Sequence, residues 1–464
     1  MFLLGGGARP IHRLVVRKGF QLANHRSALG RNVAALEASQ WWSPETLRVY
    51  QWAKLRRLVS HAFDRSPFYR RAMEGLGMVP ADLRSPEDFA RLPVVDKRTI
   101  NEHREAMVAQ RFPRARLIKT ASGGSTGAPV SLYHDPDFVA AYRAVKLRNF
   151  RWAGWTPGDA WARLWGAQFD VAAHQQLKQR LWDGLTRVMV LPCWDMSEPT
   201  MADYAERLRR FRPDVIEAYV TPLYHFARFL EARQLTGIKP RGVICSAEML
   251  FDHQRALIER VFGCQVFNRY GGREAGDIAH ECPAGTMHIN AENYYVEFLR
   301  DGRPVASGEP GEIVVTPLDL YGMPLLRYRV EDEGSPGTGQ CACGRGLPAM
   351  AMVEGRVQDL ISLPGGRFLP GEFFPHLFKD FAIRQFQVEQ DRPDHAILRL
   401  VREEALTDGD LTYLSQKIRD HTAGLLEITV EFCESIPLTP TGKFRYTISR
   451  VPPSLTPAKE VASA

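Results

Sequence analysis

Four short stretches of this 464-residue sequence concentrate the residue types that handle phosphate, ribose and divalent metal. The first, Thr120-Ala-Ser-Gly-Gly-Ser-Thr-Gly-Ala-Pro129, interleaves glycines with hydroxyls. Glycines let successive backbone N–H groups converge, and Ser122, Ser125 and Thr126 add donors, so the loop suits phosphate oxygens. It lacks the Gly-Lys-Ser/Thr ending of a Walker A loop, and a flexible Gly/Ser turn has the same composition. The second, Asn268-Arg-Tyr-Gly-Gly-Arg-Glu-Ala-Gly276, follows a strand-like run at 265–267. Loops at the carboxyl ends of parallel strands are where α/β sheets bind ligands. There Tyr270 can stack on a purine and Glu274 can hold Mg²⁺ beside phosphates; a plain strand-to-helix turn reads the same. The third comprises Leu326-Arg-Tyr-Arg-Val-Glu-Asp332 and Glu354-Gly-Arg-Val-Gln-Asp-Leu360. Asp332 suits ribose hydroxyls as a bidentate acceptor, with a solvated charge run as the alternative. The fourth, Ile436-Pro-Leu-Thr-Pro-Thr-Gly-Lys-Phe-Arg445, presents Lys443 as a mobile point charge, although a lone lysine is more often an ordinary surface residue.

A separate constellation carries soft metal ligands. Cys282 and His288 are six apart across a turn marked by Pro283 and Gly285, and Cys341-Ala-Cys343-Gly344 forms a tight knuckle further on. Three thiolates and one imidazole make a closed tetrahedral set, which suits structural zinc rather than catalysis. Buried inert thiols are the alternative. His280 competes with His288 for the fourth position, at the cost of a more strained chelate with Cys282.

The elements that must position these groups are legible from periodicity. Residues 11–75 read as helices with a break at Ser66-Pro67, and Ser85-Pro86-Glu87-Asp88 reads as a helix start with acids in its first turn. Between 120 and 320, apolar runs at 188–191, 215–218, 242–245 and 265–267 alternate with helical patterns, which implies an α/β domain with a mainly parallel sheet. From 293 the pattern turns to hairpins at 294–299 and 311–316, around Asp301-Gly302, and predicts a small antiparallel subdomain. A strand-like run at 350–353 follows the turn-rich segment 334–346. Strands at 385–389 and 397–401 around a helix at 410–422 then mark a small α+β domain. The expected division is 1–355, with 1–75 as a helical lead-in, a hinge at 356–359, a mobile domain at 360–450 and a tail at 451–464.

Composition excludes several classes. Hydrophobic residues at 45% and charged residues at 24% describe a globular protein. No apolar run approaches the roughly 20 residues of a membrane span. The net charge of +7 comes without a polybasic tract, so nucleic acid is not expected as a partner. The seven cysteines, odd in number and spread along the chain, point to reduced thiols in a cytoplasmic protein. Arg9, Arg13, Arg17, Lys18, Arg26 and Arg31 precede the first acid, Glu37. That overlaps with a transit peptide or a membrane-surface helix, but a helix packed on the body of the protein is the preferred reading.

In order and spacing, the four stretches resemble the adenylate-forming superfamily of acyl/aryl-CoA ligases. Ser66-Pro67-Phe68-Tyr69-Arg70 followed by Leu92-Pro93-Val94-Val95-Asp96-Lys97 is similar to its phenylacetate-CoA ligase branch, including related proteins of capsule-polysaccharide clusters. The resemblance spans about residues 50–450. It implies a two-step reaction in which ATP and a carboxylic acid, aryl or hydrophobic, give an acyl-adenylate and pyrophosphate. CoA, a carrier-protein thiol or an amine then takes the acyl group. A non-catalytic nucleotide-binding homologue is a third outcome, disfavoured by retention of Glu274, Asp332, Arg356 and Lys443. By matching positions, Ser122, Gly123, Gly124, Ser125, Thr126 and Gly127 would cradle phosphates. Ser246, Ala247, Glu248 and Tyr270 would enclose adenine, with Gly271, Gly272 and Arg273 completing that motif. Glu274 would hold Mg²⁺, Asp332 and Arg356 would bind ribose, and Lys443 would neutralise charge in the first step. Some members of the branch hold zinc in the region of Cys282, His288, Cys341 and Cys343. Departures are Arg273 for a usual Thr or Ser, Glu331 for a usual Gly, and Gln358 for a frequent hinge Asp. A homodimer and a carrier protein stay open as partners.

Overall fold

The computed structural model describes residues 9–24, 26–121, 130–165, 177–193, 196–354, 361–364, 367–369, 373–378, 381–402, 405–436 and 447–451. Four helices open the chain: Arg9–Asn24, Ala28–Ser39, Pro44–Arg65 and Pro67–Gly75. Ser43 caps the third by accepting from the Thr46 N–H, and Pro44 and Pro67 occupy first-turn positions, where proline sacrifices no helical hydrogen bond. The break expected at Ser66-Pro67 separates the third helix from the fourth. In the Pro86–Ala90 helix, Asp88 accepts from the Ser85 N–H at 2.9 Å. The N-terminal helix is pinned to the body, because Arg13 pairs with Asp159 and Asp214.

A twelve-stranded sheet forms the frame. Five strands are parallel and lie in the order Val188–Pro192, Trp161–Trp165, Val215–Tyr219, Gly242–Ser246, Gln265–Gly272. Helices Leu177–Thr186, Glu198–Phe211, Val220–Ala232 and Asp252–Phe262 connect them. Both faces are covered, which is why these runs read as nearly continuously apolar. One face packs Ile216, Ala218, Val243 and Val266 against the crossover helices. The other sets Val215, Ile244 and Phe267 against Phe150 of the helix Pro136–Trp152.

The α/β class holds, with one change in layout: the antiparallel part is not a detached subdomain. Strands Gly276–Glu281, Met287–Ile289, Ala349–Glu354, Tyr328–Pro336, Gly311–Pro317, Tyr294–Arg300 and Arg303–Pro304 continue the same sheet. The strand Gln265–Gly272 makes the join. Residues 265–268 pair in parallel with Gly242–Ser246, and residues 269–272 pair antiparallel with Gly276–Glu281.

Beyond residue 360, strands Glu427–Phe432, His395–Arg402, Ile383–Arg392 and Thr447–Ser449 form a separate four-stranded sheet in that order. With helix Asp408–His421 and the hairpin Ile361–Leu363/Arg367–Leu369 they enclose their own core around Phe374, Phe378, Phe386 and Leu400. No helix among the described residues is long and apolar enough to cross a membrane.

Candidate active site

The 268–276 stretch is neither an open loop nor a strand-to-helix turn. It is the end of one strand, a turn at 273–275 and the start of the next. Glycine makes this reversal possible. A Cβ on Gly271 would lie 2.2 Å from the Gly276 carbonyl oxygen, and Gly276 sits at φ +82°. Glu274 is thereby held at the tip, where its backbone carbonyl meets His134 Nε2 at 3.0 Å and its Oε1 accepts from the Tyr328 hydroxyl at 3.3 Å. His134 closes the hairpin Ile118–Ala121/Ser131–His134, whose strands bracket the glycine-rich stretch.

Tyr270 and Asp332, 62 residues apart, meet through a 3.0 Å hydrogen bond from the tyrosine hydroxyl to Oδ2. Asp332 lies on the Tyr328–Pro336 strand, and both N-terminal motifs converge just before it. The Tyr69 hydroxyl accepts from the Leu326 N–H at 2.9 Å. Val95 adds a short parallel bridge to Tyr328 through Val95 N–H to Arg327 O and Arg329 N–H to Val95 O. Arg327, in the stretch for which a solvated charge run is the alternative, is buried. It grips Glu297 and the carbonyls of Ala90 and Leu92. Glu331, at the position where the resembled pattern has glycine, stands at φ +70°, and Lys97 Nζ reaches its carboxylate at 2.9 Å.

Of the remaining adenine-side residues, Ser246 Oγ donates to the Arg269 carbonyl at 3.2 Å, and Ala247 is left-handed at φ +72°. Glu248 spends one oxygen on the Thr221 N–H, at the start of the Val220–Ala232 helix. Gly272 and Arg273 sit at the Glu274 turn. Ser122 to Gly127, Arg356, the expected hinge 356–359 and Lys443 lie outside the described residues.

The cysteine constellation is assembled. Cys282, His288, Cys341 and Cys343 bring their ligand atoms within 4.8 Å of one another. Cys282 Sγ and Cys341 Sγ are 3.6 Å apart, and Cys343 Sγ and His288 Nε2 are 3.3 Å apart. A tetrahedral zinc with bonds of roughly 2.3 Å to sulfur needs ligand separations of about 3.8 Å, so the set fits the ion. His288 Nδ1 bonds the Leu347 carbonyl at 2.9 Å, which fixes the tautomer and leaves Nε2 for a metal. Gly285 and Gly344, both left-handed, close the two knuckles. His280, the rival ligand, pairs across the same hairpin with His288 but turns its Nδ1 to the Glu281 carbonyl. Burial pushes it down to about 3, so it stays neutral among Trp152 and Phe267.

One cluster escaped the sequence reading. Glu217, wholly buried on the Val215–Tyr219 strand, takes Lys146 at 2.9 Å, Arg163 Nε at 2.9 Å and Arg269 at 2.9 Å. Burial alone would push the Glu217 carboxyl up, but the three cations bring it down to about 2. Burial takes Lys146 to about 8. The signal in the sequence is a charged residue inside the apolar run 215–218, Glu217, whose direct neighbour in the sheet register is Arg163.

Comparison with known proteins bears on this architecture. Residues 361–450 match the family model of the CapK C-terminal domain. Phenylacetate-coenzyme A ligase of Escherichia coli is 27% identical over 424 residues, covering 85% of this chain and 93% of that protein. The protein of the same name from Thermus thermophilus is 25% identical, covering 86% and 96%. A structure of 2-hydroxyisobutyryl-CoA ligase, in complex with 2-HIB-AMP and CoA, shares the fold with a TM-score of 0.62 at 18% identity, covering 89% of this chain and 91% of that one. The chain is thus similar along most of its length to phenylacetate-coenzyme A ligases and in its C-terminal part to CapK, and it shares its fold with 2-hydroxyisobutyryl-CoA ligase.

Proposed function

We propose that this chain is an ATP-dependent, AMP-forming ligase that joins a carboxylic acid, aryl or hydrophobic in body, to CoA in the cytoplasm. The observation that carries the reading is the Tyr270–Asp332 hydrogen bond beside the Glu274 turn. It supports the reading because it joins the 268–276 and 326–332 stretches at the end of the parallel sheet, where such sheets bind ligands. In the first step a carboxylate oxygen attacks the α-phosphorus of ATP, the bond to the β-phosphate breaks, and pyrophosphate leaves. In the second the CoA thiol loses its proton, its sulfur attacks the acyl carbon, and AMP departs.

Tyr270 and the Ser246–Glu248 segment hold adenine, Asp332 and Arg356 hold ribose, and residues 122–127 hold phosphates. Glu274 is the Mg²⁺ ligand; the ion offsets phosphate charge when bound. Lys443 places its charge on the developing transition state of the first step and withdraws with the C-terminal domain for the second. Cys282, Cys341 and Cys343 as thiolates, with neutral His288, hold one structural zinc.

The test is to separate the half-reactions. Lys443→Ala should lower adenylate formation roughly 10²–10³-fold, the cost of losing one pre-placed charge donor. Thioester formation from chemically supplied acyl-adenylate should persist. Adenylation at the wild-type rate would refute the assignment of the C-terminal motif.

A further inference from the structure

The charge cluster under the candidate site is unused by the proposed reaction, yet it abuts the proposed nucleotide-binding residues directly. Arg269 precedes Tyr270 in the chain, and its Nε donates to Ser246 Oγ at 3.2 Å, next to the Ala247-Glu248 segment. Trp165, Tyr219, Ser246 and Arg269 stand at the carboxyl ends of four neighbouring parallel strands. The Trp165 and Tyr219 rings are 4.4 Å apart between centroids, and both Arg163 and Arg269 lie over Trp165. Across from them runs the helix Pro136–Trp152. Lys146 of that helix reaches Glu217, and Tyr142, one turn earlier, packs against Gly276 beside the Glu274 turn. An acid activated at that turn would meet Tyr142, Trp165 and Tyr219 between its reacting end and the cluster.

The charges there do not balance. Among the described residues, Lys146, Arg163 and Arg269 face Glu217 and Asp277, three cations against two carboxylates, one positive charge in excess. Uncompensated charge away from water is costly, and fold stability alone gives no reason to keep it. Arg163 makes its hydrogen bond through Nε; among the described residues its Nη1 and Nη2 have no hydrogen-bond partner. The Arg163 side chain as a whole keeps 13% of its exposure. A guanidinium edge offered in this way matches a carboxylate bidentately.

We propose that the acid activated here carries a second carboxylate at the far end of its body, seated on Arg163 and Arg269 beneath Trp165 and Tyr219. The inference rests on the adenylation reading and names its substrate class. Trp165 and Tyr219 select the body by stacking, and the guanidinium groups select its distal charge. The second carboxylate takes no part in the chemistry; it restores neutrality and fixes the distance between the sheet and the reacting carboxyl.

Acid-dependent ATP–pyrophosphate exchange with matched acids decides it, using phenylacetate against 4-carboxyphenylacetate and hexanoate against adipate. In each pair the dicarboxylate should have kcat/KM at least about tenfold higher, the worth of one bidentate charged contact. Arg163→Met should lose that preference, bringing each ratio toward one, while ATP binding by calorimetry verifies that the variant is folded. Should Arg163→Met not fold, the wild-type ratios decide alone. Equal or better use of the monocarboxylates, or a folded Arg163→Met variant with unchanged ratios, would overturn the inference while leaving adenylation intact. Exchange with none of the four acids or with any wider set would instead sink the adenylation reading itself.

Discussion

At Glu331 a backbone need and an electrostatic one compete at a single residue. A left-handed conformation costs a side-chain-bearing residue about 1–2 kcal/mol, so glycine is the favoured occupant of a site at φ +70°. This chain keeps Glu331, whose carboxylate is 2.9 Å from the nearly buried Lys97. Removing one member of a buried pair costs about 3–5 kcal/mol, and somewhat less here because Glu331 is 21% exposed. Glu331→Gly is therefore expected to be net destabilising, by about 1–2 kcal/mol in denaturant unfolding. Adding Lys97→Met should recover part of the loss. A Glu331→Gly chain as stable as wild type would mean that strain relief dominates. The sequence flagged Glu331 as a departure but could not supply its φ or its partner, 234 residues away. Tyr270, Glu274 and Asp332 stand out in the sequence because each belongs to a short motif, and the structure brings Tyr270 to Asp332. The roles of Tyr69 and Arg327 do not show there, because they lie in contacts with backbone groups far along the chain.

Among the elements, the two cysteine knuckles act as a clamp. The Cys341–Cys343 segment also receives the N-terminal helices. Gly346 N–H bonds the Gln40 carbonyl, Arg345 Nε bonds Gln40 Oε1 at 3.0 Å, and the Arg345 guanidinium lies over Trp41 and Trp152. Metal bound here joins folding to ligand binding. Cys341→Ser is expected to lower the melting temperature by several degrees, shift tryptophan emission and open protease sites near 334–346. Elemental analysis of wild-type protein purified without added metal should find close to one zinc per chain. Metal-free wild-type protein of full stability, with all three thiols freely reactive, would leave these residues as ordinary cysteines.

The Glu217 cluster gives a second prediction at this scale. Its carboxyl lies at about 2 in the fold against 4.5 in the unfolded chain, so its stabilisation is complete above pH 4.5 and is lost as pH falls toward 2. The wild-type melting temperature should drop across that window more steeply than that of Glu217→Gln. At neutral pH the variant should be less stable by about 3 kcal/mol or more, because three cations lose their shared partner. Parallel acid-unfolding curves for the two proteins would contradict this. The parallel strands were mostly legible because burial on both faces makes them apolar runs. Trp161–Trp165 was harder to see because Arg163 interrupts it, and that interruption marks the cluster.

At the scale of the whole molecule, a large sheet carries Tyr270 and the other residues proposed to bind nucleotide, and a small C-terminal domain has its own core. Lys443, proposed for the first chemical step, lies in the C-terminal part of the sequence, shortly before the Thr447–Ser449 strand and far along the chain from Tyr270 and Asp332. The proposed reaction has two stages, and in that proposal the C-terminal domain serves only the first with Lys443. The decisive consequence is that the first stage should run without the second. With Mg²⁺-ATP and a suitable acid but no CoA, labelled pyrophosphate should exchange into ATP, and adding CoA should yield AMP and thioester in equal amounts. ADP as the nucleotide product, or exchange that requires CoA, would contradict an acyl-adenylate intermediate.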